Sequence, residues 1–157
     1  VLCGGKGTRL GQPIKCLTEV AGRPFMDWKL DQLEAFGATD IHLLCGPFRD
    51  AFEERYGSRC SYRTDVQTGI RDALGVWPWW WTMGDVLLDQ PLVHRNAVYV
   101  VRGEQIAGLW LDAGLYHGTG PWQMVETTAR PWHINTPEDL ARTEVHLANL
   151  HRLRVSR

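Results

Sequence analysis

The run Gly4-Gly5-Lys6-Gly7-Thr8-Arg9-Leu10, with Lys15 shortly downstream, is the part of this 157-residue chain best suited to chemistry on an anion. Glycines let a backbone come close to a ligand, and consecutive N–H groups in such a loop form a nest for phosphate oxygens. Arg9 and Lys15 add positive charge that could neutralise a polyphosphate. The spacing is neither GxxxxGK[ST] nor GxGxxG, so neither a P-loop nor a dinucleotide fingerprint applies. On glycine content alone, a plain turn carrying two solvated cations accounts for the run equally well.

Other chemistry is sparsely supplied. Cys3, Cys16, Cys45 and Cys60 show no CxxC spacing, so they read as reduced thiols of a cytoplasmic protein rather than zinc ligands or a dithiol pair. The six His residues form no HxxxH or HExxH pattern. Glu34, Glu53, Glu54 and Glu144 read as solvated helix faces. Trp77, Trp79, Trp80 and Trp81 make a dense aromatic run, expected chiefly to fill the faces of a sheet. Some of them, with Trp110, Trp122 or Trp132, could instead line an acceptor pocket, because aromatic rings stack on bases and sugars and cage quaternary ammonium groups.

These residues need a scaffold, and the pattern of short apolar runs alternating with helical stretches supplies an α/β one. Residues 1–3 are the stub of a first strand that ends in the glycine run. A helix is predicted to start at Pro24 and stop at Gly37, with Met26, Leu30 and Leu33 on one face. Residues 41–45 form a second strand, and a second helix opens at Pro47 and reaches about Tyr56. A short strand over 61–63 and a short helix over 68–74 precede the aromatic run, which ends in Gly84-Asp85. Strands follow over 97–101 and 106–111, joined by a turn at 102–105, and another over 114–117. The last helix has Thr136 as its cap, Pro137 as its first residue and Asp139 in a capping-box-like position. Its inward face is expected to carry Leu140, Ala141, Leu147, Ala148 and Leu150.

Composition narrows the class. A hydrophobic fraction of 44% with eight Trp excludes disorder, and 157 residues make one domain, residues 1–157. Seventeen Lys and Arg balance eighteen Asp and Glu with no basic run, so nucleic acid is not an expected partner. No apolar stretch approaches the ~20 residues of a membrane helix. The chain opens at Val1 inside a strand, without Met or a signal peptide, so a few preceding residues are expected to complete that strand.

Taken in order, the motifs resemble those of the sugar-phosphate nucleotidyltransferases. GGxGTRL followed by PK and then G-[KR]-P is that family's N-terminal signature, matched here by Gly4 to Leu10, Pro13-Ile14-Lys15 and Gly22-Arg23-Pro24. Gln67-Thr68-Gly69 resembles its nucleotide-contacting segment, and Met83-Gly84-Asp85 its strand-end NGD motif. Asp112-Ala113-Gly114-Leu115-Tyr116 resembles a segment near the acceptor, and His133-Ile134-Asn135-Thr136-Pro137-Glu138-Asp139-Leu140 the closing D-I-(G/N)-T-P-E-D-L block. The resemblance spans most of the chain and looks closest to the guanylyl- and thymidylyltransferases of sugar 1-phosphates.

The resemblance implies a single Rossmann-like α/β domain with a mostly parallel sheet flanked by helices. It also implies transfer of a nucleotidyl group from an NTP to a sugar 1-phosphate, with release of pyrophosphate. Arg9, Lys15 and Asp85 would be catalytic. Leu2, Gly4, Gly5, Gly7, Thr8, Arg9, Gln67, Thr68, Gly69 and Gly84 would contact the nucleotide, with Gln67 able to bond a base edge. Asp112 and Gly114 would face the acceptor. Asp85 would carry Mg²⁺, with Mn²⁺ as the alternative ion, and His133 stands where the family places a second metal-binding Asp. Histidine suits Mn²⁺, Co²⁺ or Zn²⁺ better than Mg²⁺, so either it shifts the metal preference or Asp85 and substrate phosphates suffice.

Two further departures bear on the reading. Ile14 separates Pro13 from Lys15, and the chain is short for the family after Asp89, where the sugar pocket is normally built. The same chemistry on a molybdopterin or phosphocholine acceptor therefore stays open, as does a nucleotide-binding protein of this fold without turnover.

Overall fold

A computed structural model describes residues 1–64, 79–88, 97–101, 104–110, 123–126 and 132–155. The predicted helix over 68–74, the strand over 114–117 and the segment after Asp89 up to residue 96 lie outside them.

Residues 1–3 occupy the middle of the sheet. Leu2 bridges in parallel to Leu44 on one side and to Met83 on the other. The amides of Cys3 and Leu44 donate to Leu44 and Val1 carbonyls at 3.0 and 2.8 Å. Across the other edge, Leu2 N–H donates to Thr82 O at 3.0 Å and Gly84 N–H to Leu2 O at 2.8 Å. On the Leu44 side lies β3 (His42–Leu44), which pairs in parallel with β4 (Ser61–Arg63). On the Met83 side lies β5 (Trp79–Thr82). The chain thus fills one flank of residues 1–3 before crossing to the other. Such a reversal of strand order opens a crevice at the carboxyl ends of the strands, where α/β sheets bind ligands.

The expected parallel arrangement holds on this side of the sheet. Beyond β5 the order continues through β8 (Glu104–Trp110), β7 (Ala97–Val101) and β9 (Gln123–Glu126). Here β5–β8 and β7–β8 are antiparallel while β7–β9 is parallel, so the whole is mixed. Two small antiparallel ladders complete the described strands: β1 (Glu19–Val20) with β2 (Arg23–Pro24), and β6 (Val86–Leu87) with β10 (Trp132–His133).

The first helix, α1 (Phe25–Ala35), begins one residue later than predicted because Pro24 has extended backbone and pairs with Glu19. It ends as predicted near Gly37, whose φ of 90° supplies the left-handed turn. Gly37 N–H bonds Glu34 O and Ala38 N–H bonds Leu33 O, each at 2.9 Å, the Schellman pattern. Pro47 opens a single 3-10 turn (Gly46–Phe48), and α2 (Arg49–Tyr56) follows. The last helix, α3 (Pro137–Val155), carries the reciprocal capping box: Asp139 N–H to Thr136 Oγ1 and Thr136 N–H to Asp139 Oδ2, both 3.2 Å. Its buried face differs from the predicted one. Ala141 and Leu150 are exposed, whereas Thr143 is fully buried beside Leu147, because its hydroxyl donates to His133 O at 3.0 Å and so enters the core satisfied.

Two apolar clusters meet at α1. Met26, Leu30 and Leu33 pack with Leu43, Phe52 and the cysteines on the parallel side, while Phe25 and Trp28 join Val20, Leu87, Ile134 and Leu147. Each fully buried aliphatic side chain of this kind contributes about 1.5–3 kcal/mol. All four cysteines are buried and free. Among the described residues no helix is long and apolar enough to cross a membrane.

Candidate active site

The carboxyl ends of three neighbouring strands define the site. The central strand runs out into Gly4 and Gly5, β3 into Leu44 and Gly46, and β5 into Met83 and Asp85. Together with Leu2, Lys15 and Cys16 they line a pocket of about 340 Å³.

The glycine loop is tightly wound. Gly7 O accepts from Leu10 N–H at 2.9 Å and Gln12 N–H at 3.0 Å, and Lys15 N–H returns to Gly5 O at 3.1 Å. A Cβ on Gly7 would sit 2.8 Å from Gln12 O, so the loop closes only with glycine there. Gly5 is different: a Cβ would meet nothing within 4 Å. Gly5 is exposed and is one of the residues that line the pocket. Lys6, Thr8 and Arg9 stand exposed on the loop, the last two in a 3-10 turn (Thr8–Leu10). Ile14, the departure beside Lys15, packs against the core cluster under the sheet. It anchors the end of the loop, and Lys15 still points into the site.

Lys15 is the hub. Its Nζ donates to Asp85 Oδ2 and to Asn135 Oδ1, both at 2.8 Å, joining the glycine loop, the β5–β6 turn and the β10–α3 junction. Asp85 is 9% exposed, so the pair is largely shielded from solvent. Asn135 was given no role from sequence. The available signal was its place in the closing block, one residue before the cap of α3. His133, two residues earlier, has its Nδ1 3.2 Å from Asp139 Oδ2 at the start of α3. Among the described residues no three His, Cys, Asp or Glu groups are placed to hold a metal together. The Asp85 carboxylate and the Asn135 side-chain carbonyl that Lys15 bonds are oxygen donors, the chemical type Mg²⁺ takes as ligands.

The turn bearing Asp85 is pressed into the core. A Cβ on Gly84 would lie 2.9 Å from Cys16 Sγ and 3.0 Å from both Cys3 Cβ and Leu2 O. Gly84→Ala is therefore expected to cost about 1–3 kcal/mol of stability by overpacking and to displace Asp85. Urea unfolding together with turnover checks it, and an unchanged protein would contradict this packing. The Cys16 thiol beneath the site is pushed well up, by burial first and then by the charge of Asp85, so it is no nucleophile.

Of the remaining predicted residues, Gln67, Thr68, Gly69, Asp112 and Gly114 lie outside the described residues, as do Trp77 and Trp122. Trp132 does not stand free to line a pocket: it stacks on His146 at 3.8 Å and 9°, with the Arg142 guanidinium 5.7 Å from its ring centre, so it packs against α3.

A glycine loop at the switch point of an α/β sheet thus stands beside a strand-end carboxylate and a lysine. The model of the MobA-like NTP transferase domain matches residues 1–104, and the chain belongs to that family. It is 35% identical over 68 residues to the bifunctional protein GlmU of Trichlorobacter lovleyi, covering 43% of this chain and 15% of that one. The chain thus corresponds to a small part of that relative's length. HddC from Yersinia pseudotuberculosis, solved in complex with GMP-PN, has the same fold with a TM-score of 0.67 and 16% identity, over 93% of this chain and 97% of that one. CTP:phosphocholine cytidylyltransferase from Streptococcus pneumoniae aligns with a TM-score of 0.59 and 15% identity, over 93% and 96%.

Proposed function

We propose that the protein transfers a nucleotidyl group from an NTP to a sugar 1-phosphate, with an acceptor phosphate oxygen attacking the α-phosphorus and pyrophosphate leaving in line. The observation that carries this reading is the convergence of Lys15, Asp85 and Asn135 on one point beside the glycine loop. No protein nucleophile is needed for such a transfer, so catalysis consists of positioning and charge stabilisation.

The amides of Gly4, Gly5 and Gly7, with Leu2 and Thr8 beside them, hold the nucleotide phosphates, and exposed Arg9 secures the departing pyrophosphate. Gln67-Thr68-Gly69 and Gly84 complete the nucleotide contacts, and Asp112 and Gly114 face the acceptor. Asp85 would hold Mg²⁺, with the Asn135 side-chain oxygen next to it; the bound ion offsets phosphate charge. Lys15, which donates to Asp85 and Asn135, offers its charge to a substrate phosphate oxygen at the reacting centre.

The test is pyrophosphate release by the full-length protein from each common NTP, against a panel of sugar 1-phosphates and phosphocholine, with Mg²⁺ and then Mn²⁺. Release that needs one NTP, one sugar 1-phosphate and Mg²⁺ is expected. Release with phosphocholine alone would move the acceptor, and activity with Mn²⁺ only would bring His133 into the metal site. Nucleotide binding without release for any pair would overturn the enzymatic reading.

A further inference from the structure

The strangest residue near the site takes no part in it. Lys29 sits in the middle of α1 on the face that otherwise carries Met26, Leu30 and Leu33, and it is fully buried. An ammonium without solvent is costly to keep, and an aliphatic side chain of similar size would fill the same space. Its hydrogen bonds show what it does there. Nζ donates to Thr82 Oγ1 at 2.9 Å and to Val86 O at 2.7 Å. Thr82 is the last residue of β5 and Val86 the first of β6, so the ammonium ties together the two ends of the turn that projects Asp85.

One helical turn further on, Gln32 extends the same clamp. Its Nε2 donates to Leu88 O at 2.7 Å and its Oε1 accepts from Leu88 N–H at 3.0 Å, as a neighbouring strand would. From these contacts we infer that Lys29 is the positioning residue for Asp85: it fixes the 82–86 turn from beneath, through Thr82 and Val86, without touching substrate. A purely apolar helix face could support the turn but could not set the separation of its two ends. Backbone and hydroxyl acceptors at both ends need a donor that reaches both, and a single ammonium with several N–H groups provides it.

Only the kinetic arm of the test rests on nucleotidyl transfer. Lys29→Met removes the ammonium and keeps the stem, and Thr82→Val removes one acceptor while keeping the shape. Hydrogen exchange of the 82–88 amides is compared with that of α3 in wild type and both variants, together with thermal unfolding, kcat and the KM for NTP. The expected result is exchange over 82–88 faster by roughly tenfold or more with α3 unchanged. Alongside it, kcat should fall at least about tenfold at temperatures where the variants are folded, while KM changes by less than about threefold. Unchanged exchange over 82–88 in both variants would overturn the inference, whatever the activity. So would a lower unfolding temperature with wild-type kcat, the mark of a merely structural lysine. A wild-type protein without turnover would refute nucleotidyl transfer instead, and the exchange data would still decide the clamp.

Discussion

Asp85→Ala is expected to abolish turnover, by roughly a thousandfold or more, while the protein stays folded. The magnitude follows from what the carboxylate does in the proposed reaction: charge stabilisation at a shielded site is worth at least two to three orders of magnitude when a single partner is removed. Folding should survive because Asp85 is joined through its side chain to Lys15, which keeps its bond to Asn135 and retains some access to solvent. The backbone of residue 85 still accepts from Ile134 N–H at 3.3 Å. Asp85→Asn refines the measurement, since it preserves shape and one oxygen but not charge. Circular dichroism and pyrophosphate release measured on the same samples check both halves, and wild-type turnover in the alanine variant would remove Asp85 from the mechanism.

The second large effect lies in stability. Burial pushes the Lys29 ammonium down from 10.5 to about 7, against the opposing pull of Asp85 and Cys16. Because the folded value is the lower one, the unfolded chain binds a proton through this window that the folded chain has released. Stability must therefore rise as pH increases from about 7, by up to ~1.4 kcal/mol per pH unit, until the unfolded lysine also deprotonates. Between pH 7 and 9 the gain should be ~2 kcal/mol. The Cys16 and Cys60 thiols, pushed up by burial, titrate with the opposite sign at higher pH, so the informative quantity is the difference between wild type and Lys29→Met, in which they cancel. Urea unfolding across that range should show the rise in wild type and its loss in the variant. Parallel curves would mean that Lys29 keeps an ordinary affinity for its proton.

Local chemistry is what the sequence made legible. Gly4 to Leu10 and the Gly84-Asp85 step stand out because the glycines that shape a turn are contiguous with the residues it presents. Thr136, Pro137 and Asp139 mark the start of α3 for the same reason. Partnerships across the chain were not legible: Lys15 and Asn135 are 120 residues apart, and Lys29 reaches a carbonyl 57 residues away. A lysine in a helix reads as solvated until the strand turn beneath it is seen to offer two acceptors. The expected inward face of α3 omits Thr143 for the same reason, since a threonine counts as polar until a neighbouring carbonyl takes its hydroxyl. Pro24 shows the opposite failure, a strong local helix-start signal outvoted by one ladder pair with Glu19. The reading of His133 rested on its position in a motif. Position alone could not reveal that its ring lies against Asp139, or that Asn135 is the residue beside Lys15.

The central claim is that the nucleotide's α-phosphorus is the centre attacked. Its most direct test follows the label from an NTP carrying phosphorus-32 at the α-position, and separately at the γ-position, incubated with the full-length protein, Mg²⁺ and the acceptor that supports pyrophosphate release. The expected result is α-label in a new nucleotide–acceptor diphosphate and γ-label in pyrophosphate alone, both absent with Asp85→Ala. γ-Label appearing on the acceptor or as orthophosphate would place the attack at the wrong phosphorus and contradict nucleotidyl transfer.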